Sequence, residues 1–153
     1  MNPIPQSVLI VDDDPMITAT LKIILGPEEF DVVICADPEK ALALVAERDF
    51  AVVISDNSMP QMLGLDFLAE CRRIRPRSAR MLLTGVLEMG PIEKAAERGD
   101  ISRFITKPWL GGELLAAVRE AIQNRDLAVR KKIAPGKKPS PRRTPAANGR
   151  GRR

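Results

Sequence analysis

Val8-Leu9-Ile10-Val11-Asp12-Asp13-Asp14-Pro15 (VLIVDDDP) runs four strongly apolar residues straight into three carboxylates and a proline. The apolar half is too short for a helix and is aliphatic throughout, as in a strand buried on both faces. The acidic half is costly. Two carboxylates about 4 Å apart at an effective dielectric of about 20 repel by roughly 4 kcal/mol. A strand that delivers such charge to one point calls for a counter-charge there.

Four more short apolar runs follow, at 32–35, 51–55, 80–83 and 103–106. Stretches of helical period separate them. Ile17, Leu21, Ile24 and Leu25 recur at spacings of three to four, with Asp14-Pro15 as cap and first-turn proline and Gly26-Pro27 as stop. Asp37-Pro38 opens a second helix, whose stripe is Ala41, Leu44 and Val45; Leu65, Leu68, Cys71 and Ile74 mark a third that ends before Pro76. A less apolar fourth helix, about 88–98, ends at Gly99. Leu114, Leu115, Val118, Ala121 and Ile122 mark the fifth and longest. Strict βα alternation with short loops predicts an α/β fold: a doubly wound, flavodoxin-like, five-stranded parallel sheet of order 2-1-3-4-5 with helices on both faces. In that order, ligands bind beyond the carboxyl ends of strands 1 and 3, where the winding reverses.

Length allows one such domain in 153 residues, and 44% hydrophobic residues suffice for one core. The charge is unevenly spread. Ten of the 24 Lys and Arg fall in residues 130–153, which hold no acid; the other 14, against 20 acidic residues, leave residues 1–129 at −6. The basic segment has four prolines and almost nothing large and apolar, so it is predicted to be a disordered tail. The expected organisation is an N-terminal extension (1–6), a folded domain (7–129) and a basic Pro-rich tail (130–153). The tail offers contacts to phosphate backbones, an acidic partner or an anionic surface. With no aromatic to stack bases and no helix-turn-helix, sequence-specific DNA reading is not expected. MNPIPQ is no signal peptide and no apolar run approaches a membrane span, so the expected location is cytoplasmic. Cys35 and Cys71 have no metal or redox spacing and are expected to be reduced packing residues.

The predicted strand ends carry the chemistry. Asp12 and Asp13 close strand 1, Asp56 strand 3, Thr84 strand 4 and Lys107 strand 5. Three carboxylates and one ammonium sum to −2, which one divalent cation cancels. Hard oxygen ligands that leave open positions for phosphate oxygens suit Mg²⁺. A strand-end Asp beside Mg²⁺ and Lys can act as a nucleophile toward a phosphoryl group. The chain has no GxxxxGK[ST] loop, hence no evident nucleotide site, and no histidine, so a donor phosphohistidine must belong to another protein.

VLIVDDDP, VVISDNSMPQMLG, MLLTG and RFITKPW, in this order and spacing, make residues 5–127 resemble the receiver domains of two-component response regulators. The ending GxxxRFITKPW is most similar to receivers linked to HD-type phosphodiesterases. The resemblance implies that Asp56 is the phosphoacceptor and that Asp12, Asp13, Asp56 and the backbone carbonyl of Ser58 hold Mg²⁺. It implies that Thr84 and Lys107 bind the phosphoryl group and that Phe104 is the switch aromatic. The implied partners are a histidine kinase or phosphotransfer protein and a downstream output protein; the chain would be a phosphoacceptor with intrinsic autophosphatase activity and not an enzyme. The 99–104 segment is one residue longer than the common glycine-to-aromatic spacing, and Phe104 lacks the hydroxyl of the frequent Tyr.

Plainer roles compete. One acid suffices to cap a helix, and Asp14 is best placed for it. Thr84-Gly85 is also ordinary turn chemistry, Phe104 also fits a plain core position, and the Lys107-Pro108 bond is cis if the resemblance holds. Met59 and Met62 are expected along a loop and the third helix. One alternative function is a haloacid-dehalogenase-like phosphatase with Asp12 as nucleophile, although Met16 fails the last position of its DxDx(T/V) motif. Another is a degenerate receiver tethered to nucleic acid by its tail.

Overall fold

A computed structural model describes residues 6–26, 29–85 and 89–133, main chain only for 128–133. The strands are β1 (Gln6–Val11), β2 (Phe30–Cys35), β3 (Val52–Asp56), β4 (Ala79–Thr84) and β5 (Arg103–Thr106); the helices are α1 (Pro15–Leu25), α2 (Pro38–Glu47), α3 (Gly64–Ile74), α4 (Met89–Arg98) and α5 (Gly111–Ile133). They alternate strictly, and the sheet is parallel in the order β2-β1-β3-β4-β5. The doubly wound fold expected from the sequence is the one observed.

Alternation of side chains along the strands builds two cores. Val8, Ile10, Val52 and Ile54 face α1 and α5, where they meet Leu21, Leu114 and Val118. Leu9, Val11, Val53 and Leu82 face the other way, onto Val45, Phe67, Leu68 and Ile92 of α2, α3 and α4. Val8 to Val11 are wholly inaccessible, and full burial of each such side chain contributes about 1.5–3 kcal/mol. This burial anchors β1 and fixes where its acidic end emerges.

Register then places the chemistry. Ile10 lies between Ile34 of β2 and Ile54 of β3, so β1 and β3 end side by side. Asp56 is the last residue of β3, paired with Leu83, and Thr84 pairs with Thr106 at the end of β5. The helix starts also follow the expected capping: the Asp14 carboxylate accepts from Met16 N and that of Asp37 from Glu39 N, each at 2.9 Å, with a proline at the first helical position.

The expected boundaries shift at both ends. β1 begins at Gln6, inside the expected extension. Helix α5 runs to Ile133 and takes in the first four residues of the expected tail, because no helix breaker occurs before Pro135. Residues 134–153 lie outside the described residues, as do Pro27 of the expected α1 stop and Glu88 of the expected α4 start. Cys35 and Cys71 are free thiols; burial pushes the Cys71 thiol up to about 12, which keeps it protonated and unreactive. Met59 is buried and Met62 half-buried, both in the loop before α3. Trp109 is half-buried against the core shared by α1 and α5.

Candidate functional site

Asp12 follows β1 directly and is 3% exposed; Asp56 is 5% exposed, whereas Asp13 projects to solvent. One carboxylate oxygen from each of the three lies within 4.8 Å of the others. The three acids of the opening motif are therefore divided in role. Asp14 caps α1, and its backbone N–H donates to Asp12 Oδ1 at 2.9 Å. Asp12 Oδ2 is buried without a hydrogen-bond partner.

Burial pushes the Asp12 carboxyl up to about 6, opposed by the Asp14 N–H; the charges of Asp56 and Asp13 push it up and that of Lys107 down. Burying a charged oxygen with no partner costs several kcal/mol in a static site. An acceptor-only oxygen, buried and aimed among other carboxylates, is suited to an oxygen-seeking cation and to little else. The residues present thus fit a hard divalent ion.

Lys107 follows β5, held by its N–H donating to the Thr84 carbonyl at 2.8 Å. Its ammonium contacts Asp56 Oδ1 in an ion pair. The other oxygen, Asp56 Oδ2, accepts from Ser58 N at 3.0 Å. Both oxygens of Asp56 are thereby oriented by positive or donating groups from two different segments. The Lys107-Pro108 bond is cis, as the resemblance implied. Thr84 is buried, with its hydroxyl donating to the Gly85 carbonyl at 2.9 Å. Phe104 is half-buried and packs on the core under α3 and α4. Four residues from four strand ends (Asp12, Asp56, Thr84 and Lys107) therefore share one crevice edge, while Phe104 lies deeper on β5.

Two supporting residues escaped the sequence reading. Asn57 accepts from Leu65 N through its side chain at 3.1 Å and from Gly64 N through its carbonyl at 2.9 Å, tying the loop after Asp56 to the start of α3. Gly64 is present because a Cβ there would sit 2.2 Å from the Asp56 carbonyl oxygen and 2.8 Å from Asn57 Cα. The available signal was a glycine just before a helical stripe that lacked a polar cap. Val86, two residues after Thr84, lies outside the described residues.

Comparison with known proteins converges on one family. The profile of the response regulator receiver domain matches residues 8–119. The hydrogenase transcriptional regulatory protein HoxA of Cupriavidus necator is 31% identical over 121 residues, 79% of this chain and 25% of that protein. The DNA-binding response regulator MtrA of Mycolicibacterium smegmatis is 31% identical over 128 residues, 82% of this chain and 54% of that protein. The chain thus spans about a quarter to a half of the length of these curated relatives. Among solved structures, the signal receiver domain of an HD domain-containing protein from Pseudomonas fluorescens Pf-5 superposes with a TM-score of 0.78 at 33% identity, covering 86% of this chain and 96% of that one. A CheY-like response regulator receiver domain protein from Methanospirillum hungatei JF-1 gives 0.76 at 26% identity, over 82% and 99%. None of these matches favours the phosphatase alternative. The matched profile and the sheet topology place the chain: it belongs to the response regulator receiver domain family of two-component systems.

Proposed function

We propose that the chain accepts a phosphoryl group on Asp56 from a phosphohistidine of a partner histidine kinase or phosphotransfer protein, and signals through a phosphorylation-dependent protein contact. The observation that carries this reading is the environment of Asp56. It is a buried carboxylate at a strand end, with one oxygen against the Lys107 ammonium and the other on Ser58 N, beside two more acids.

In the proposed transfer, an Asp56 oxygen attacks phosphorus as the phosphorus–nitrogen bond of the donor breaks, and the departing imidazole nitrogen takes a proton. Lys107 must leave its close contact with Asp56 to follow the new phosphoryl oxygens. Thr84 must turn its hydroxyl from the Gly85 carbonyl to donate to one of them. That movement frees space on the side where Phe104 is only half-buried, so Phe104 can pack inward and alter the α4–β5–α5 surface. Asp12, Asp13, Asp56 and the Ser58 carbonyl would hold Mg²⁺. The ion, when bound, neutralises the charge that gathers on the phosphoryl oxygens. Slow hydrolysis of the acyl phosphate would reset the chain, which is thus a phosphoacceptor rather than an enzyme acting on a separate substrate.

The folded unit proposed to do this extends over about residues 6–133, from β1 to the end of α5. Among the described residues no helix is long and apolar enough to cross a membrane, and a cytoplasmic site, where kinases meet ATP, suits the reading. The test is transfer from a panel of ³²P-labelled histidine kinases. Label should pass to the wild type with Mg²⁺ and fail to pass to Asp56→Asn; label that survives the substitution refutes the assignment.

A further inference from the structure

Helix α3 begins without the cap that α1 and α2 have. Asp14 and Asp37 cap those helices with their own carboxylates, whereas the residue before α3 is Leu63, 52% exposed, whose side chain makes no cap hydrogen bond. The first N–H groups of a helix have no partner within it and need an acceptor from elsewhere. Here the acceptor comes from the phosphoacceptor loop. Gly64 N donates to the Asn57 carbonyl at 2.9 Å, and Leu65 N donates to Asn57 Oδ1 at 3.1 Å. One half-buried residue thus serves the first two donors of α3 from across the loop 58–63.

Asn57 is held from the sheet side as well. Its own N–H donates to the Leu83 carbonyl at 3.0 Å, so the link between β3 and β4 continues one bond beyond Asp56. The start of α3 also presses on this segment: a Cβ on Gly64 would stand 2.2 Å from the Asp56 carbonyl oxygen and 2.8 Å from Asn57 Cα. The peptide unit joining Asn57 to Ser58 is therefore bonded at both ends. Its carbonyl takes Gly64 N, and its N–H, that of Ser58, donates to Asp56 Oδ2 at 3.0 Å. An apolar side chain at 57 would leave Leu65 N unserved and the loop tied to α3 by one bond instead of two.

We propose that Asn57 is a positioning residue of the phosphoacceptor site: its carboxamide locks the segment 56–58 to α3, so that the Ser58 N–H stays on Asp56 and the Ser58 carbonyl keeps the direction the metal needs. This rests on the Mg²⁺ site proposed above. Asn57 is assigned no contact with the ion or the phosphoryl group and acts through Ser58. Groups that orient metal ligands without touching the metal change affinity by about 10–100-fold when removed. Because the Gly64 N bond is to the main chain and survives any change of side chain, the lower end is expected here.

Mg²⁺ titrations followed by NMR of the backbone amides read the affinity of folded molecules alone, and urea unfolding reads stability separately. Asn57→Leu removes the acceptor at similar side-chain size; its Kd for Mg²⁺ should rise about tenfold and its urea midpoint should fall. Adding Leu63→Ser supplies α3 with a local cap. It should restore the midpoint while the Kd stays raised, and it carries the same comparison if Asn57→Leu alone does not fold. Asn57→Asp keeps the acceptor oxygen and should bind Mg²⁺ at least as tightly as the wild type. A Kd unmoved by Asn57→Leu, a Kd restored together with the midpoint by Leu63→Ser, or weaker binding by Asn57→Asp overturns the proposal and leaves Asn57 a helix cap only. A wild type that binds no Mg²⁺, or binds it no better than Asp56→Asn, overturns the Mg²⁺ site itself and this inference with it.

Discussion

Replacing Asp12 with asparagine should stabilise the metal-free protein at neutral pH. The carboxyl is pushed from 3.8 to about 6, chiefly by burial. A group whose folded pKa is raised binds protons more tightly folded than unfolded, so stability falls as pH rises from the unfolded toward the folded value. With these two values the ionised Asp12 costs about 3 kcal/mol at pH 7.5 and about 1 kcal/mol at pH 4.5. Asparagine is isosteric, carries no charge, keeps an oxygen for the Asp14 N–H and places an amide donor where Asp12 Oδ2 now has no partner. In EDTA, Asp12→Asn should therefore unfold some 10 °C above the wild type at pH 7.5, at about 4 °C per kcal/mol, and only a few degrees above it at pH 4.5. Mg²⁺ should narrow the gap at neutral pH, because it stabilises the wild-type cluster and loses a ligand in the variant. Differential scanning calorimetry with and without Mg²⁺ reads all three effects. A variant less stable than the wild type in EDTA at pH 7.5, or an advantage independent of pH, would refute the claim that the site stores uncompensated charge.

Other substitutions separate scaffold from site. Gly64→Ala drives a Cβ into the Asp56 carbonyl; it should cost about 1–3 kcal/mol in urea unfolding and impair phosphorylation, since the clash is relieved only by moving the acceptor loop. Asp14→Ala removes the α1 cap and should cost about 1 kcal/mol, with Mg²⁺ affinity by isothermal titration near that of the wild type. Arg80→Met leaves four carbonyls short of a donor and should cost about 2–4 kcal/mol by urea midpoint at unchanged m-value, whereas a neutral result would show that the buried cation is dispensable.

Most of the fold was legible because its signals are local and strong. Four aliphatic residues in a row, Asp-Pro at two helix starts and Gly99 with φ of +85° at the end of α4 leave little choice of element. The convergence of Asp12, Asp56, Thr84 and Lys107 was legible because each sits at or just after a strand end, so topology brings them together without any knowledge of side-chain contacts. What the sequence withheld depends on close packing across distant segments. Gly64 is explained only by its approach to Asp56, eight residues earlier. Arg80 reads as part of an apolar strand, and its role emerges only when the Gly99–Asp100 turn folds over it. Arg72 and Arg98 both grip Asp100 in that turn. The domain boundary fell short of the end of α5 because a basic, proline-rich composition was read back to residue 130, ahead of the first proline.

The identity of the acceptor is the centre of this account. Mass-spectrometric mapping of the chain after treatment with acetyl phosphate and Mg²⁺, with the acyl phosphate trapped chemically, reads it directly. The account predicts one phosphoryl group, on the peptide containing Asp56, absent in EDTA and absent from Asp56→Asn. Modification at Asp12, or none on a folded, Mg²⁺-bound chain, would contradict it.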